Sequence, residues 1–231
     1  MKYRHLFFDL DHTLWDFEAN SRHTLLDLHE NLGLAAKGVN DFELFYRNYL
    51  DHNEKLWERY RNGFIKQSEL RVKRMRLALL DFKIADEALA QSMSERFLEL
   101  LPTRTILFPY TKEILDYLTK KQYRLHLITN GFENIQHSKL KYSGLTNYFD
   151  AVITSEGSNS LKPNKEIFEY AFVKTGAEPG NSIMLGDSIE VDIQGGMNAG
   201  MDTVFVNHLG ISTDVKPTYT IRHLRELEQI F

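Results

Sequence analysis

The sequence predicts an α/β protein in which a parallel β-sheet core is interrupted by an all-helical insertion. Four short apolar runs alternate with helical segments in the second half of the chain: "YRLHLIT", "FDAVITS", "SIMLGD" and "DTVFVN". Near-continuous apolar strands separated by helices are typical of a parallel sheet that is covered on both faces. A similar run, from Arg4 to Leu10, stands alone near the N-terminus. We expect this strand to join the later sheet.

The long segment between the first strand and the others has a different pattern. Apolar residues recur at helical spacing, for example Phe42, Phe45 and Tyr49, and no convincing strand is present. We therefore predict a sheet domain built from residues 1–14 and 104–231, and a helical domain from residues 15–103. The stretch from Pro102 to Pro109 would be the linker that returns to the sheet.

Composition and charge restrict the class of protein. The 231 residues are 42% hydrophobic and 26% charged, which is ordinary for a soluble globular chain. A net charge of -4 argues against a nucleic-acid polymer as a partner. The absence of cysteine excludes disulfides, thiolate metal sites and a cysteine nucleophile. No apolar stretch has the length of a signal peptide core or a membrane span, so we expect a cytoplasmic protein without a membrane partner.

Polar residues follow the predicted strands at the points where the strands end. They are Asp9, Asp11 and Thr13 after the first strand, Thr129 and Asn130 after the second, Lys162 in the loop beyond the third, and Asp187, Ser188 and Asp192 after the fourth. Each group has an ordinary structural alternative, since such residues also form turns and helix starts. Ligands of open parallel sheets bind at the carboxyl ends of the strands, and the joint placement therefore indicates one site.

The chemistry of this set favours phosphoryl transfer. Clustered carboxylates repel one another unless a cation lies among them, and an all-oxygen set suits Mg²⁺ with a substrate phosphate. None of the nine histidines is spaced i,i+2 or i,i+4 from another, so the sequence offers no support for a histidine metal site. Lys162 would supply positive charge for a phosphate. Thr129 and the backbone amides after it can hold phosphate oxygens.

Four motifs in this chain resemble those of the haloacid dehalogenase superfamily. "DLDHT" resembles its DxDxT signature, "LITNG" its second motif, Lys162 in "LKPN" its third, and "GDSIEVD" its fourth, in the family's order. The resemblance implies a Rossmann-like core with the first-motif and fourth-motif strands adjacent. It also makes the helical insertion similar to the family's mobile cap.

The resemblance implies a role for each catalytic residue. Asp9 would be the nucleophile that forms a phospho-aspartate. Asp11 would be the general acid that protonates the leaving alcohol, and then the base that activates water. Thr129 and the Asn130 amide would bind phosphate, and Lys162 would neutralise the charges of phosphate and Asp9.

A magnesium site is implied by the same resemblance. Its ligands would be Asp9, the backbone carbonyl of Asp11, and Asp187. Three further residues would lie around the ligands without binding the metal: Asp192, Thr13 and Ser188. Asp192 would order the metal's waters or Lys162.

Several stretches resemble the pyrimidine 5′-nucleotidase branch of the superfamily. They are "ITNGF", "KPNKEIF", "GGMNAGM", "KLWERYRNGFIKQSEL" and "HLRELEQIF". This resemblance implies a Mg²⁺-dependent phosphatase, monomeric or homodimeric, that hydrolyses nucleoside 5′-monophosphates, with pyrimidine forms favoured. Phe17 and Trp15 are candidates for cap or mouth residues that stack on the base.

Other activities use the same residues and stay open at this point. The substrate could be another small phosphate ester, such as phosphoglycolate or a sugar phosphate. A β-phosphoglucomutase-like phosphomutase would need the same carboxylates, although Thr13 favours hydrolysis because those mutases usually carry an apolar residue there. Dehalogenating members lack an acid at the position of Asp11. A non-enzymatic binding protein would be expected to have lost Asp9, Asp11 or Asp187.

Overall fold

The computed structural model describes residues 2–231, and within this range six strands form one parallel sheet. The strands are β1 (His5–Phe8), β2 (Arg124–Thr129), β3 (Ala151–Thr154), β4 (Ser182–Gly186), β5 (Asp202–Val206) and β6 (Tyr219–Ile221). Their order across the sheet is β3-β2-β1-β4-β5-β6. The predicted α/β class with a parallel sheet is confirmed.

The α-helices of residues 2–231 connect these strands or form the insertion. They are α1 (Phe17–Asn31), α2 (Phe42–Arg61), α3 (Gln67–Leu80), α4 (Glu87–Leu100), α5 (Thr111–Lys120), α6 (Glu133–Ser143), α7 (Ser155–Ser158), α8 (Lys165–Thr175) and α9 (Gly195–Asn198). Among the described residues, no helix combines the length and the apolar character that crossing a membrane requires.

Strand β1 lies in the middle of the sheet, although it comes first in the chain. Phe8 lies opposite Leu127 of β2 on one side and Leu185 of β4 on the other. All four residues of β1 are buried, which explains why three of them, Leu6, Phe7 and Phe8, are apolar. The three strands end at the same edge, so Asp9, Thr129 and the residues after Gly186 are brought together there.

The described chain divides into two compact units. One comprises the segment up to Phe17 together with Thr105–Phe231, and the other is Glu18–Arg104. The predicted boundaries were after residues 14 and 103. The structure moves Trp15 and Phe17 into the sheet unit because the backbone N–H of Asp16 donates to the carbonyl of Ile106 and Trp15 forms a bridge with Leu107.

The helical unit is built by α2, α3 and α4, which pack in sequence order, and by most of α1. Asp41 and Asp86 begin α2 and α4 by accepting hydrogen bonds from backbone N–H groups three residues later. The buried faces of these helices supply the core of this unit, including Phe45, Met75 and Phe97. The all-helical character predicted for the insertion agrees with these elements.

Some elements differ from the prediction. The first strand is shorter than the predicted Arg4–Leu10, because the chain turns at His12, which has a left-handed φ of 62°, and Trp15 N–H donates to the Leu10 carbonyl. Strand β6 and helix α5 were not predicted. Strand β6 is a three-residue edge strand with one buried residue, so its sequence carries little periodic signal.

Candidate active site

The site lies at the carboxyl ends of β2, β1 and β4. Asp9 follows β1 directly, and its backbone N–H donates to the carbonyl of Leu185 in β4 at 2.8 Å. Thr129 is the last residue of β2, and Asp187 follows the last residue of β4. Because β1 and β4 are neighbours in the sheet, Asp9 and Asp187 lie at the same edge although they are 178 positions apart in the sequence. This adjacency of the first-motif and fourth-motif strands was predicted from the resemblance.

Lys162 forms the positive centre of the site. Its Nζ lies 2.6 Å from Oδ1 of Asp9 and 2.7 Å from Oδ1 of Asp192, and the residue is only 1% exposed. Burial alone would lower the pKa of Lys162, but the carboxylates of Asp192 and Asp9 raise it above its ordinary value. Lys162 is therefore a permanent cation that neutralises part of the carboxylate charge.

Three carboxylates converge on this centre. Single oxygens of Asp9, Asp187 and Asp192 all lie within 4.8 Å of one another. Burial, together with the charges of Asp192 and Asp187, raises the pKa of Asp9 to about 8, although Lys162 opposes the shift. Burial and the charge of Asp192 also raise the pKa of Asp187 to about 7. One lysine does not balance three carboxylates at this spacing, so the cluster favours a further cation.

Neighbouring groups fix the two carboxylates that follow β4, those of Asp187 and Asp192. Thr13, which is fully buried, donates its hydroxyl to Oδ1 of Asp187 at 3.0 Å. Asp192 accepts the backbone N–H of Ser188 on Oδ2 at 3.0 Å while Lys162 occupies Oδ1. Since both oxygens of Asp192 are engaged, Asp9 and Asp187 are the carboxylates better placed to face a metal.

Gly186 makes this arrangement possible by its lack of a side chain. A Cβ at this position would lie 2.3 Å from Oδ2 of Asp192, which is far inside van der Waals contact. The glycine of the "GDS" sequence is therefore required for the close approach of Asp192 to the backbone after β4.

Asp11 is held apart from the carboxylate cluster by its own partners. Lys139 Nζ lies 2.5 Å from Oδ1 of Asp11, and Gln136 donates its side-chain amide to Oδ2 at 2.9 Å. Burial alone would raise the pKa of Asp11, but Lys139 and Gln136, with a smaller contribution from His12, hold it below its ordinary value. The two aspartates of "DLDHT" thus lie in different electrostatic environments.

The predicted phosphate-binding residues lie beside Lys162. Thr129 is buried, and its hydroxyl oxygen accepts the backbone N–H of Gly131 at 3.0 Å. The side chain of Asn130 donates to the Lys162 carbonyl at 2.8 Å and accepts the Lys162 backbone N–H at 2.7 Å. Asn130 therefore fixes the backbone that carries the lysine, a function that the motif had not indicated. Contacts from Thr129 and from the Asn130 amide to phosphate stay predictions.

Ser188, Trp15 and Phe17 occupy other positions around the site. The Ser188 hydroxyl accepts the backbone N–H of Val191 at 3.2 Å and begins the π-helical turn Ile189–Gln194. Trp15 is fully buried and Phe17 is 8% exposed. Their ring centres lie 4.2 and 5.7 Å from Nζ of Lys139. Both residues belong to the unit that contains the sheet, and their role at the mouth of the site stays a prediction.

Comparison with known proteins agrees with this geometry. A family model described as haloacid dehalogenase-like hydrolase matches residues 3–200. The chain belongs to this family.

Individual relatives match this haloacid dehalogenase-like hydrolase over almost its whole length. Pyrimidine 5′-nucleotidase PynA of Streptococcus pneumoniae is 33% identical, and the match covers 98% of this chain and 94% of PynA. Pyrimidine 5′-nucleotidase YjjG of Escherichia coli is also 33% identical, with 100% and 98% covered. The crystal structure of the HAD-hydrolase YfnB of Bacillus subtilis, bound to magnesium, is similar with a TM-score of 0.90 at 28% identity, covering 100% of this chain and 99% of YfnB.

The donor set of this haloacid dehalogenase-like hydrolase fits Mg²⁺. All candidate ligands are oxygens, which Mg²⁺ prefers, and the raised pKa values of Asp9 and Asp187 show that carboxylate charge is crowded there. The sequence also identifies the chain as an enzyme similar to phosphoric monoester hydrolases of the 5′-nucleotidase kind.

Three residues near the site were not predicted from the sequence. Gln136 and Lys139 are buried polar residues of α6 and lie on the same helix face as Leu140. Their spacing of three and four residues from one another and from Leu140 could have indicated that they face the interior. His208 donates from Nε2 to the Thr13 carbonyl at 3.1 Å and stacks on Phe108 at 3.9 Å between ring centres. No local pattern marks His208, because its contact depends on the tertiary fold.

Proposed function

We propose that this haloacid dehalogenase-like hydrolase is a Mg²⁺-dependent phosphatase that hydrolyses nucleoside 5′-monophosphates, with pyrimidine forms preferred. The observation that carries the chemistry is the separation of the two first-motif aspartates. Asp9 pairs with Lys162 beside the other carboxylates, whereas Asp11 pairs with Lys139. Asp9 suits attack on phosphorus once a cation among the clustered carboxylates lowers its raised pKa, and Asp11, which lies outside that cluster, suits proton transfer.

In the first step, a carboxylate oxygen of Asp9 attacks phosphorus. The bond between phosphorus and the 5′ oxygen breaks, and the Asp11 carboxyl gives its proton to that oxygen, so the nucleoside leaves as an alcohol. Asp9 then carries the phosphoryl group as an acyl phosphate. Lys162 supports this step because its ammonium offsets the repulsion between the Asp9 carboxylate and the phosphate.

In the second step, water attacks phosphorus and the bond between phosphorus and the Asp9 oxygen breaks. Asp11, now a carboxylate, takes a proton from the water. Inorganic phosphate is released, Asp9 is regenerated, and Asp11 holds the proton that the next leaving alcohol needs. The ion pair of Asp11 with Lys139 represents the carboxylate form that suits this step.

Asp9, Asp187 and the backbone carbonyl of Asp11 would hold Mg²⁺. When bound, the metal stabilises the negative charge on the transferring phosphoryl group. Thr13 would keep Asp187 oriented through their 3.0 Å hydrogen bond, and Asp192 would keep Lys162 directed at Asp9.

The substrate class rests on similarity to known nucleotidases rather than on a contact in the structure. PynA and YjjG are both pyrimidine 5′-nucleotidases, and each matches this chain across nearly all of its length. The stretches that resemble this branch of the superfamily support the same class. Such a small-molecule substrate also agrees with the acidic net charge, which disfavours polymeric nucleic acid.

The test is a phosphatase screen with Mg²⁺ over UMP, dUMP, dTMP, purine monophosphates, sugar phosphates and phosphoglycolate, measured as kcat/KM. We expect the pyrimidine monophosphates to rank highest, and we expect chelation with EDTA to remove the activity. Activity confined to phosphoglycolate or sugar phosphates would contradict the nucleotide assignment. The Asp9→Asn variant, purified in parallel, reports any contaminating phosphatase.

A further inference from the structure

We propose that His208 is a positioning residue for the Mg²⁺ site, and that it acts through Thr13 on the side chain of Asp187. This inference rests on the proposed function, because it concerns the metal that this function requires. It deepens that function by giving a role to the loop after β5, which lies outside all four motifs. The role is orientation of a metal ligand, and His208 itself binds neither metal nor substrate.

Two hydrogen bonds of Thr13 connect His208 to Asp187. Nε2 of His208 lies 3.1 Å from the Thr13 carbonyl oxygen, and the Thr13 hydroxyl donates to Oδ1 of Asp187 at 3.0 Å. A carbonyl oxygen only accepts hydrogen bonds, so Nε2 of His208 must carry the proton of this contact. Thr13 is fully buried, and a restraint on its backbone carbonyl is therefore passed to the hydroxyl that holds the carboxylate.

The second nitrogen of the His208 ring also faces a backbone carbonyl. Nδ1 lies 3.3 Å from the carbonyl oxygen of Arg222, the residue that follows β6. The neutral ring has a single N–H group, and the shorter distance of Nε2 to Thr13 favours the tautomer that donates there. The charged ring would donate to both carbonyls. The hydrogen bond to Thr13 is thus present in both forms, and the inference does not depend on the titration of His208.

Packing holds the His208 ring in place as well. The ring stacks on Phe108, with 3.9 Å between the ring centres and 11° between the ring planes. Phe108 in turn donates its backbone N–H to the carbonyl of Leu14 at 2.9 Å. His208 and its stacking partner therefore hold the carbonyls of two consecutive residues, Thr13 and Leu14, in the turn after β1.

The loop that carries His208 is closed by its own hydrogen bonds. The Asn207 side chain accepts the backbone N–H of Ile211 and donates to its carbonyl oxygen, each at 2.9 Å. Gly210 has a left-handed φ of 67° and donates its N–H to the Asn207 carbonyl at 3.2 Å. Asn207 is buried and follows β5 directly, so the position of His208 is tied to the sheet.

The turn that His208 restrains contributes twice to the proposed metal site. It contains the backbone carbonyl of Asp11, and through Thr13 it orients Asp187. Mg²⁺ demands nearly ideal octahedral geometry, so its affinity depends on how well the ligand oxygens are oriented. Loss of a residue that orients a metal ligand typically weakens binding by about 10- to 100-fold. Because His208 acts through Thr13, we expect a loss near the lower end of this range.

The experiment separates the hydrogen bond of His208 from its stacking. His208→Phe keeps an aromatic ring over Phe108 and removes the donor, whereas His208→Gln removes the ring and supplies an amide donor instead. We expect the Mg²⁺ Kd, measured by calorimetry without substrate, to rise about 10-fold in His208→Phe and much less in His208→Gln. His23→Phe, at an exposed position of α1, is the matched control and should bind Mg²⁺ like wild type. His208→Leu replaces the phenylalanine variant if that variant does not fold.

Thr13→Val tests whether the effect passes through Thr13. This variant keeps the backbone carbonyl but loses the hydroxyl that donates to Asp187. If His208 acts through this hydroxyl, His208→Phe should weaken Mg²⁺ binding far less in the Thr13→Val background than in the wild-type background. Kinetics give a second readout. In His208→Phe the Mg²⁺ concentration for half-maximal rate should rise, while kcat at saturating Mg²⁺ changes little.

A purely structural role would give a different result. It would lower the thermal unfolding temperature of His208→Phe in EDTA and leave the Mg²⁺ Kd unchanged, and this outcome would overturn the inference but not the proposed function. Equal weakening by His208→Phe with and without the Thr13 hydroxyl would exclude the route through Thr13. A wild-type protein that binds no Mg²⁺ and hydrolyses no phosphate ester would overturn the proposed function and this inference together.

Discussion

The ammonium nitrogen of Lys162 lies 2.6 Å from Oδ1 of Asp9, in a site where both residues are buried. This contact joins the end of β1 to the loop before α8, 153 positions later in the chain. It places a fixed positive charge on the carboxylate that we propose as the nucleophile. Single oxygens of Asp187 and Asp192 lie within 4.8 Å of one another and of an Asp9 oxygen, and we propose that Mg²⁺ is the second cation of this cluster.

Loss of the Lys162 charge should affect both stability and turnover. Lys162→Met leaves Asp9 and Asp192 buried without their cation, so we expect the free energy of unfolding in EDTA to fall by about 3–5 kcal/mol. We also expect turnover to be abolished. Urea unfolding and a phosphatase assay measure the two effects. Lys165→Met, which removes an exposed lysine three residues away, should change neither by much, and an unchanged activity in Lys162→Met would refute the role of Lys162.

Stability should depend on pH in a direction set by Asp9 and Asp187. Their pKa values are about 8 and 7 in the folded protein, above the ordinary 3.8. Between about pH 4 and 7 the unfolded chain has released these protons while the folded protein keeps them, so the free energy of unfolding should fall as pH rises. The comparison of wild type with Asp187→Asn in EDTA isolates this contribution.

Magnesium should oppose this loss of stability. A ligand that binds only the folded state at one hundred times its Kd adds about 2.7 kcal/mol to the free energy of unfolding. Because the metal competes with protons for Asp9 and Asp187, the gain should grow as pH rises from about 5 to 8. Thermal unfolding in EDTA and in Mg²⁺ across this range measures the gain. A gain that is the same at every pH, or none at all, would argue against a metal on these carboxylates.

Asn130 should matter through the backbone of Lys162. Asn130→Ala removes both hydrogen bonds to that backbone and should lower kcat by about 10²-fold, as expected when a catalytic group shifts by about 1 Å. The control is Asn164→Ala, because Asn164 is exposed and its side chain does not cap α8. Steady-state kinetics decide the question, and equal activity of the two variants would show that the Asn130 side chain is dispensable.

Gly186 should be intolerant of even a methyl group. Gly186→Ala would place a Cβ 2.3 Å from Asp192 and displace the carboxylate that orients Lys162. We expect strongly reduced activity, whereas Gly180→Ala, at a position with open space around its Cβ, should retain it. A crystal structure of the Gly186→Ala variant would show whether the contact between Asp192 and Lys162 is lost. Wild-type activity in this variant would contradict the close-approach argument.

Much of the fold could be predicted because most of the buried strands carry short runs that are mainly apolar. The same reasoning placed Asp9, Thr129 and Asp187 at one edge of the sheet, since parallel strands end together. These features depend on local patterns that a single sequence contains.

The partners of Asp11 could not be predicted in the same way. Lys139 and Gln136 lie on the buried face of α6, but their contact with Asp11, which is more than 120 positions away in the sequence, follows from the tertiary fold. Asn130 was assigned to phosphate, yet its side chain holds the Lys162 backbone. Motifs identify residue types, whereas the direction of each side chain follows from tertiary contacts.

Rapid acid quench tests whether Asp9 becomes phosphorylated during turnover. The enzyme is mixed with a ³²P-labelled nucleoside monophosphate and Mg²⁺, quenched within one turnover, digested and mapped. We expect acid-stable, hydroxylamine-sensitive label on the peptide that contains Asp9, and no label in Asp9→Asn. Label on another residue, or conversion of the substrate in a single turnover with no labelled enzyme at any quench time, would exclude phosphorylation of Asp9.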